Sequence, residues 1–133
     1  MDIVFYEKPG CAGNARQKAV LRAAGHEVIA RSLLAEPWTA ARLRAFFGEL
    51  PVQDWFNMSA PAVKSGAVRP EALSEDAALA LMLATPLLIR RPLLQVGERL
   101  CTGFAAAELK SRLGLELPGE APDGCAHPPA PCP

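Results

Sequence analysis

Hydrophobic and polar positions along the chain mark out a series of short elements. Ile3-Val4-Phe5-Tyr6 is an apolar, β-prone run closed by the turn residues Lys8-Pro9-Gly10, and it predicts a buried first strand. From Ala12 to Ala24 there is no proline and one early glycine; Ala15, Ala19, Val20 and Ala23 recur at helical spacing, and Gly25 stands where a C-terminal cap belongs. His26-Glu27-Val28-Ile29-Ala30 then predicts a second strand. A strand, helix, strand order favours a parallel pair joined by a right-handed crossover.

The middle of the chain is predicted to be helical. Thr39 is an N-cap candidate, Leu43, Phe46, Phe47 and Leu50 follow the i, i+3, i+4, i+7 pattern, and Gly48 with Pro51 marks the end. Ser74 opens a second helix with Glu75 and Asp76 at its positive end; Leu79, Met82 and Leu83 supply its apolar face, and Thr85-Pro86 ends it. Between the two, Pro61, Gly66 and Pro70 restrict residues 55–70 to a helical turn or two. Leu93–Val96 and Arg99–Thr102 flank Gly97-Glu98, a pair suited to a tight hairpin. Residues 104–113 form a last predicted helix, with Ala106, Leu109 and Leu113 for packing and Gly114 as its stop. There is no internal repeat.

Composition sharpens this outline at the C-terminus. Of the 20 residues from Gly114 onward, 6 are proline and 3 are glycine, a composition that cannot build a core and predicts a flexible tail over 114–133. The foldable unit is therefore residues 1–113. The 133-residue chain has 14 basic and 14 acidic residues, but Glu116, Glu120 and Asp123 fall in the tail, which leaves 14 basic against 11 acidic in the body, a net of +3. Such a balance gives no electrostatic case for a nucleic acid or membrane partner and suits a small anion better than a polyanion. No apolar run is long enough for a membrane helix, and no basic segment precedes an apolar one at the N-terminus. These features predict a cytoplasmic protein. Four cysteines are too few and too unevenly spaced for a secreted disulfide framework.

The sharpest chemical feature is Cys11, directly after Lys8-Pro9-Gly10 and at the start of the first helix. Unpaired backbone N–H groups and the helix dipole stabilise a thiolate there, so its pKa is expected to fall. Lys8 and Arg16 are close enough in sequence to add to the effect. The competing reading is a buried small hydrophobe, but a position between Pro-Gly and a helix start is a poor core site. Asn14 occupies the place of a second cysteine in a C-x-x-C motif, which excludes a dithiol mechanism within this turn.

Tyr6-x-x-Pro9-x-Cys11, followed far along the chain by Leu88-Ile89-Arg90-Arg91-Pro92, resembles the two signatures of the arsenate reductase (ArsC) and Spx family. The likeness extends over residues 2–112. Phe5-Tyr6-Glu7-Lys8-Pro9-Gly10-Cys11, Arg16-Gln17-Lys18 and Trp55-Phe56-Asn57 are most similar to its nitrogenase-associated subgroup. The resemblance implies an α/β, thioredoxin-like mixed sheet with an inserted helical segment between its halves. It implies that Cys11 is the nucleophile, that Arg91 holds the charge of an oxyanion and that Pro92 is a cis proline beside the cysteine. Lys8, Arg16 and Asn57 join Pro92 as the implied anion or substrate contacts. No bound cofactor or metal is implied; glutathione or a glutaredoxin is the expected electron donor, and a glutaredoxin or a nitrogenase-related protein the expected partner.

Two positions depart from the reductase pattern: Asn57 and Thr102 stand where the reductases place further arginines. Three arginines would make a charge-assisted cradle for a tetrahedral anion, whereas one leaves most of its charge uncompensated. Arg16 also falls one residue later than in the reductases, a rotation of about 100° on a helix. The implied function is single-cysteine thiol redox chemistry, with a glutathione- and glutaredoxin-dependent arsenate reductase and a non-catalytic, Spx-like protein-binding module as the alternatives. Cys101 is expected to pack in the last strand, and His26 to lie on the surface. Cys125, His127 and Cys132 could ligate a metal, or a tail cysteine could return to Cys11, but their spacing fits no standard zinc pattern. Trp38, Phe46, Phe47, Trp55 and Phe56 are expected in the core or a groove, without the basic interleaving that base stacking needs.

Overall fold

The computed structural model describes residues 2–115. The predicted tail lies outside them, apart from Gly114 and Leu115, as do Cys125, His127 and Cys132. Four strands, β1 (Asp2–Glu7), β2 (Glu27–Ser32), β3 (Leu93–Val96) and β4 (Arg99–Thr102), form one sheet in the order β2-β1-β3-β4. β1 runs parallel to β2 through the crossover helix α1 (Ala12–Ala23), and antiparallel to β3; β3 and β4 are the hairpin expected around Gly97. This is the mixed, thioredoxin-like sheet with its helical insertion, residues 33–92, between the two halves.

Side-chain alternation along the strands divides the core into two layers. Ile3, Phe5, Leu94 and Cys101 face Leu21 of α1 and Phe104, Leu109 and Leu113. Tyr6 and Leu93 face the insertion, packing with Leu43, Phe46, Phe47, Trp55 and Met82. The period of two thus turns one strand toward two different sets of helices. Within the insertion are α2 (Ala40–Arg44), α3 (Pro61–Lys64) and α4 (Glu75–Ala84), separated by single turns. Thr39 and Ser74 are the N-caps, each side chain accepting an N–H three residues on. On the outer side of Tyr6, Arg42 donates to its hydroxyl at 2.9 Å and to Glu36 at 2.9 Å, with its guanidinium 4.6 Å from the centre of the Trp38 ring. The bond to Glu36 is the main reason that the Arg42 pKa is raised.

The structure corrects four details. In α1 the alanines are not the buried face: Ala15, Ala19 and Ala23 are exposed, while Gly13, Asn14, Gln17 and Leu21 point inward. Alanine contributes too little apolar area to set a helix's rotation, and Leu21 sets it instead. The helix from Thr39 stops at Arg44, because the N–H groups of Phe46 and Phe47 bond three residues back in tighter turns and Gly48 takes φ +54°. In α4, Leu83 is exposed, and Ala78, Leu79 and Met82 are buried. The C-terminal helix begins at Ala106 rather than 104, as α5 (Ala106–Glu108), and widens into a π-helical turn over Leu109–Leu113.

Trp55 is the largest fully buried side chain: it stacks on Phe47 at 4.7 Å and donates its indole N–H to the Leu50 carbonyl. Trp55→Ala is expected to lower the unfolding free energy by about 3–5 kcal/mol, read from urea denaturation.

Candidate functional site: a capped cysteine beside a buried arginine

Strand register brings two distant loops together. In the antiparallel pair Tyr6 stands opposite Leu93, so continuing past the last pair puts Lys8 near Arg91 at the same end of the sheet. Arg91 acts electrostatically on Lys8, in keeping with this placement. The Arg91-Pro92 peptide is cis, as the resemblance implied.

Cys11 forms the N-cap of α1. Its Sγ accepts the Asn14 N–H at 3.4 Å, and its own N–H donates to the Lys8 carbonyl at 3.1 Å, closing the turn. The expected helix start is therefore present. The exposure anticipated for this position is not, since Cys11 is only 4% exposed. Cys11 is disulfide-bonded in the structure. Cys101 instead lies in β4 with its thiol buried, Sγ donating to the Thr102 carbonyl at 3.6 Å.

The loop that carries Arg91 is fixed on both sides. On one side the Arg90 N–H donates to the Trp55 carbonyl, the Asn57 N–H donates to the Leu88 carbonyl, and Phe56 bridges Ile89. On the other, Thr102 Oγ1 donates to the Arg90 carbonyl at 2.8 Å and the Gly103 N–H to the Pro92 carbonyl at 2.8 Å. Arg90 lies across Gly103, where an added Cβ would come within 2.5 Å of its guanidinium, and it donates to the Asp54 carbonyl. Gly103 takes φ +80°, a left-handed conformation that favours glycine, whereas the flexible Arg90 side chain can move aside for a Cβ.

Arg91 itself is 1% exposed, and none of its three guanidinium nitrogens has a hydrogen-bond partner among the described residues. Burying a guanidinium without acceptors costs free energy that an anion would offset. Desolvation lowers the pKa of Arg91, and desolvation followed by the charge of Arg91 lowers that of Lys8. Glu7, at the end of β1, is held by Lys18 at 2.6 Å, so its carboxylate is neutralised next to the loop.

The structure thus brings together Cys11, Lys8, Arg91 and Pro92. Arg16 is exposed on α1. Asn57 is buried with its amide engaged, Nδ2 donating to the Leu87 carbonyl and Oδ1 accepting the Ser59 N–H, so it braces the loop before Arg91. Sequence reasoning did not foresee the roles of Asn14, Gln17 and Thr102. Asn14 and Gln17, three apart on one face of α1, carried the signal, but it was outweighed by the alanine periodicity.

Together, the sheet order, the cysteine at the head of α1 and the cis Arg91-Pro92 peptide define a thioredoxin-like domain. The ArsC family pattern matches residues 6–111, and the chain belongs to the ArsC family. A 15.7 kDa protein from the draG 3′ region of Rhodospirillum rubrum, named only as uncharacterized, is 54% identical over 114 residues, covering 86% of this chain and 80% of that one. YusI of Bacillus subtilis is 28% identical over 108 residues, 78% of this chain and 92% of that protein. An arsenate reductase from Vibrio cholerae superimposes with a TM-score of 0.66 at 21% identity, over 86% of this chain and 97% of its own. An ArsC-related protein from Bacteroides fragilis reaches 0.70 at 24% identity, over 84% and 98%. At these identities the structures establish the fold. No helix among the described residues is long and apolar enough to cross a membrane.

Two outcomes are expected of this site. Arg91→Met replaces an unpartnered buried cation with an apolar chain of similar length. It should raise the unfolding free energy in anion-free buffer by roughly 1–3 kcal/mol, and a urea midpoint below wild type would contradict this. The second concerns pH. Because the Lys8 pKa is lower in the folded state than in the unfolded one, its charge opposes folding, and stability from this group rises as pH climbs from the lowered value toward 10.5. An anion between Lys8 and Arg91 reverses that preference, so binding should be tightest while Lys8 is protonated. In Cys11→Ser, which removes the thiolate, sulfate affinity measured by calorimetry should fall as pH rises through the lowered Lys8 value.

Proposed function

We propose that this chain is a cytoplasmic thiol redox protein of the nitrogenase-associated branch of the ArsC family, working through Cys11. The reading rests on one observation above all: a helix-capping cysteine in the same corner as a buried arginine that has no acceptor among the described residues. An N–H on the sulfur and two nearby cations favour the thiolate, which is the reactive form. The 54% identical relative from the draG 3′ region supports the branch.

In the reaction proposed, the Cys11 thiolate attacks one sulfur of an anionic disulfide. A Cys11–S bond forms, the substrate S–S bond breaks, and the second sulfur leaves as a thiolate beside Arg91. A glutathione or glutaredoxin thiolate then attacks the mixed disulfide, releasing Cys11 and carrying the bond away. Arg91 and Lys8 hold the negative charge throughout.

A second reading, arsenate reduction, is favoured by the empty hydrogen-bonding capacity of Arg91 and by the likeness to the Vibrio cholerae enzyme. Against it, Asn57 and Thr102 spend their polar atoms on backbone, so neither adds charge to an oxyanion cradle.

The test begins with the fully reduced protein. Iodoacetamide labelling followed by peptide mapping should show Cys11 reacting with an apparent pKa well below the free value of about 8.5. Cys11→Ser should lose all turnover of a glutathione mixed disulfide. If Cys11 labels only above that pKa, the redox reading falls and a binding role in the manner of Spx takes its place. Turnover of arsenate with glutathione and glutaredoxin, lost in Arg91→Ala, would favour the second reading.

A further inference from the structure

Asn14 occupies the third position of α1, on the face opposite the exposed alanines. It is fully buried, and its amide is engaged on both sides. Oδ1 accepts the Lys8 N–H at 3.1 Å across the cysteine turn, and Nδ2 donates to Gln17 Oε1 at 2.9 Å, one turn further along the helix. The backbone N–H of the same residue donates to Cys11 Sγ.

These bonds act on the two peptide groups that flank one residue, Lys8. Lys8 accepts the Cys11 N–H through its carbonyl and donates its own N–H to Asn14, so it is held from both directions. In an ordinary capping box the third residue's side chain returns to the N–H of the cap. Here that N–H is already spent on Lys8, and the side chain reaches three residues further back. Gln17 prevents the amide from turning over, since a flipped amide would set oxygen against oxygen.

Resting on the thiol reading above, we propose that Asn14, oriented by Gln17, is a positioning residue for the Cys11 thiolate. It fixes the turn over residues 8–11 against the first turn of α1, which keeps Sγ on the Asn14 N–H and aims Lys8 toward Arg91. Its role is distinct from that of the residues that touch the substrate. Among the described residues, the charged groups facing the sulfur's corner are Lys8 from the turn and Arg91 from the loop before β3, with Glu7 paired to Lys18 at the end of β1 and Arg16 exposed on α1.

The test compares pH profiles of Cys11 alkylation in the reduced full-length chain, read by peptide mapping. Asn14→Ala should raise the apparent thiol pKa and slow alkylation near neutral pH by about three- to tenfold, a shift of roughly half to one unit. Asn14→Ser, whose hydroxyl is too short to span the turn, should do the same and serves if the alanine variant does not fold. A variant that loses stability but keeps the wild-type pH profile would reduce Asn14 to a structural role and overturn the proposal. In wild type the Lys8 amide should be protected from hydrogen exchange; exchange at the unfolded rate would also overturn it. A wild-type Cys11 with an ordinary pKa would instead overturn the thiol reading itself.

Discussion

Strand β1 is hydrogen-bonded on both edges and buried on both faces, and the rest of the molecule is arranged to satisfy it. Its parallel partner β2 demands a crossover, which places the head of α1 just beyond its C-terminal end. Its antiparallel partner β3 must enter from that same end, which brings in the Arg91-Pro92 loop. The mixed sheet therefore delivers a helix N-terminus and a cationic loop to one corner from positions some eighty residues apart in sequence. Neither loop needs to find the other: the ladder does so.

Within that corner, stability is given up for chemistry. Arg91 is desolvated without acceptors among the described residues, and Lys8 is held charged against its neighbour's field. The remaining contacts limit the damage: Lys18 neutralises Glu7, Asn57 and Thr102 turn their polar atoms to the backbone, and Trp55 lends its carbonyl to Arg90. A cation left short of partners inside a rigid surround is preorganised for a ligand, since little needs to move when the charge arrives.

How much of this was legible in the sequence depended on how local the signal was. The hairpin at 93–102 and the caps Thr39 and Ser74 were read to the residue, because turn and cap chemistry is written within a few positions. Cys11 was placed at the helix start for the same reason. The buried face of α1 was misread, since alanine fits either side of a helix and the decision fell to Leu21 and two amides. The helix after Thr39 was overextended because Phe46, Phe47 and Leu50 keep helical spacing even in tighter turns. The burial of Cys11 and the isolation of Arg91 are properties of the packed corner, and no window of sequence contains them.

Thr102 links two properties that would otherwise vary separately. Its hydroxyl is the tether on the Arg90 carbonyl, and the family resemblance implies an arginine at this place in the reductases. Replacing it with arginine would add a charge to the corner and, in the same step, release the carbonyl that steadies the loop. The number of positive charges and the rigidity of their mount are thus set by one codon. A lineage moving between the two designs would have to find a new anchor for the loop before it could gain the charge.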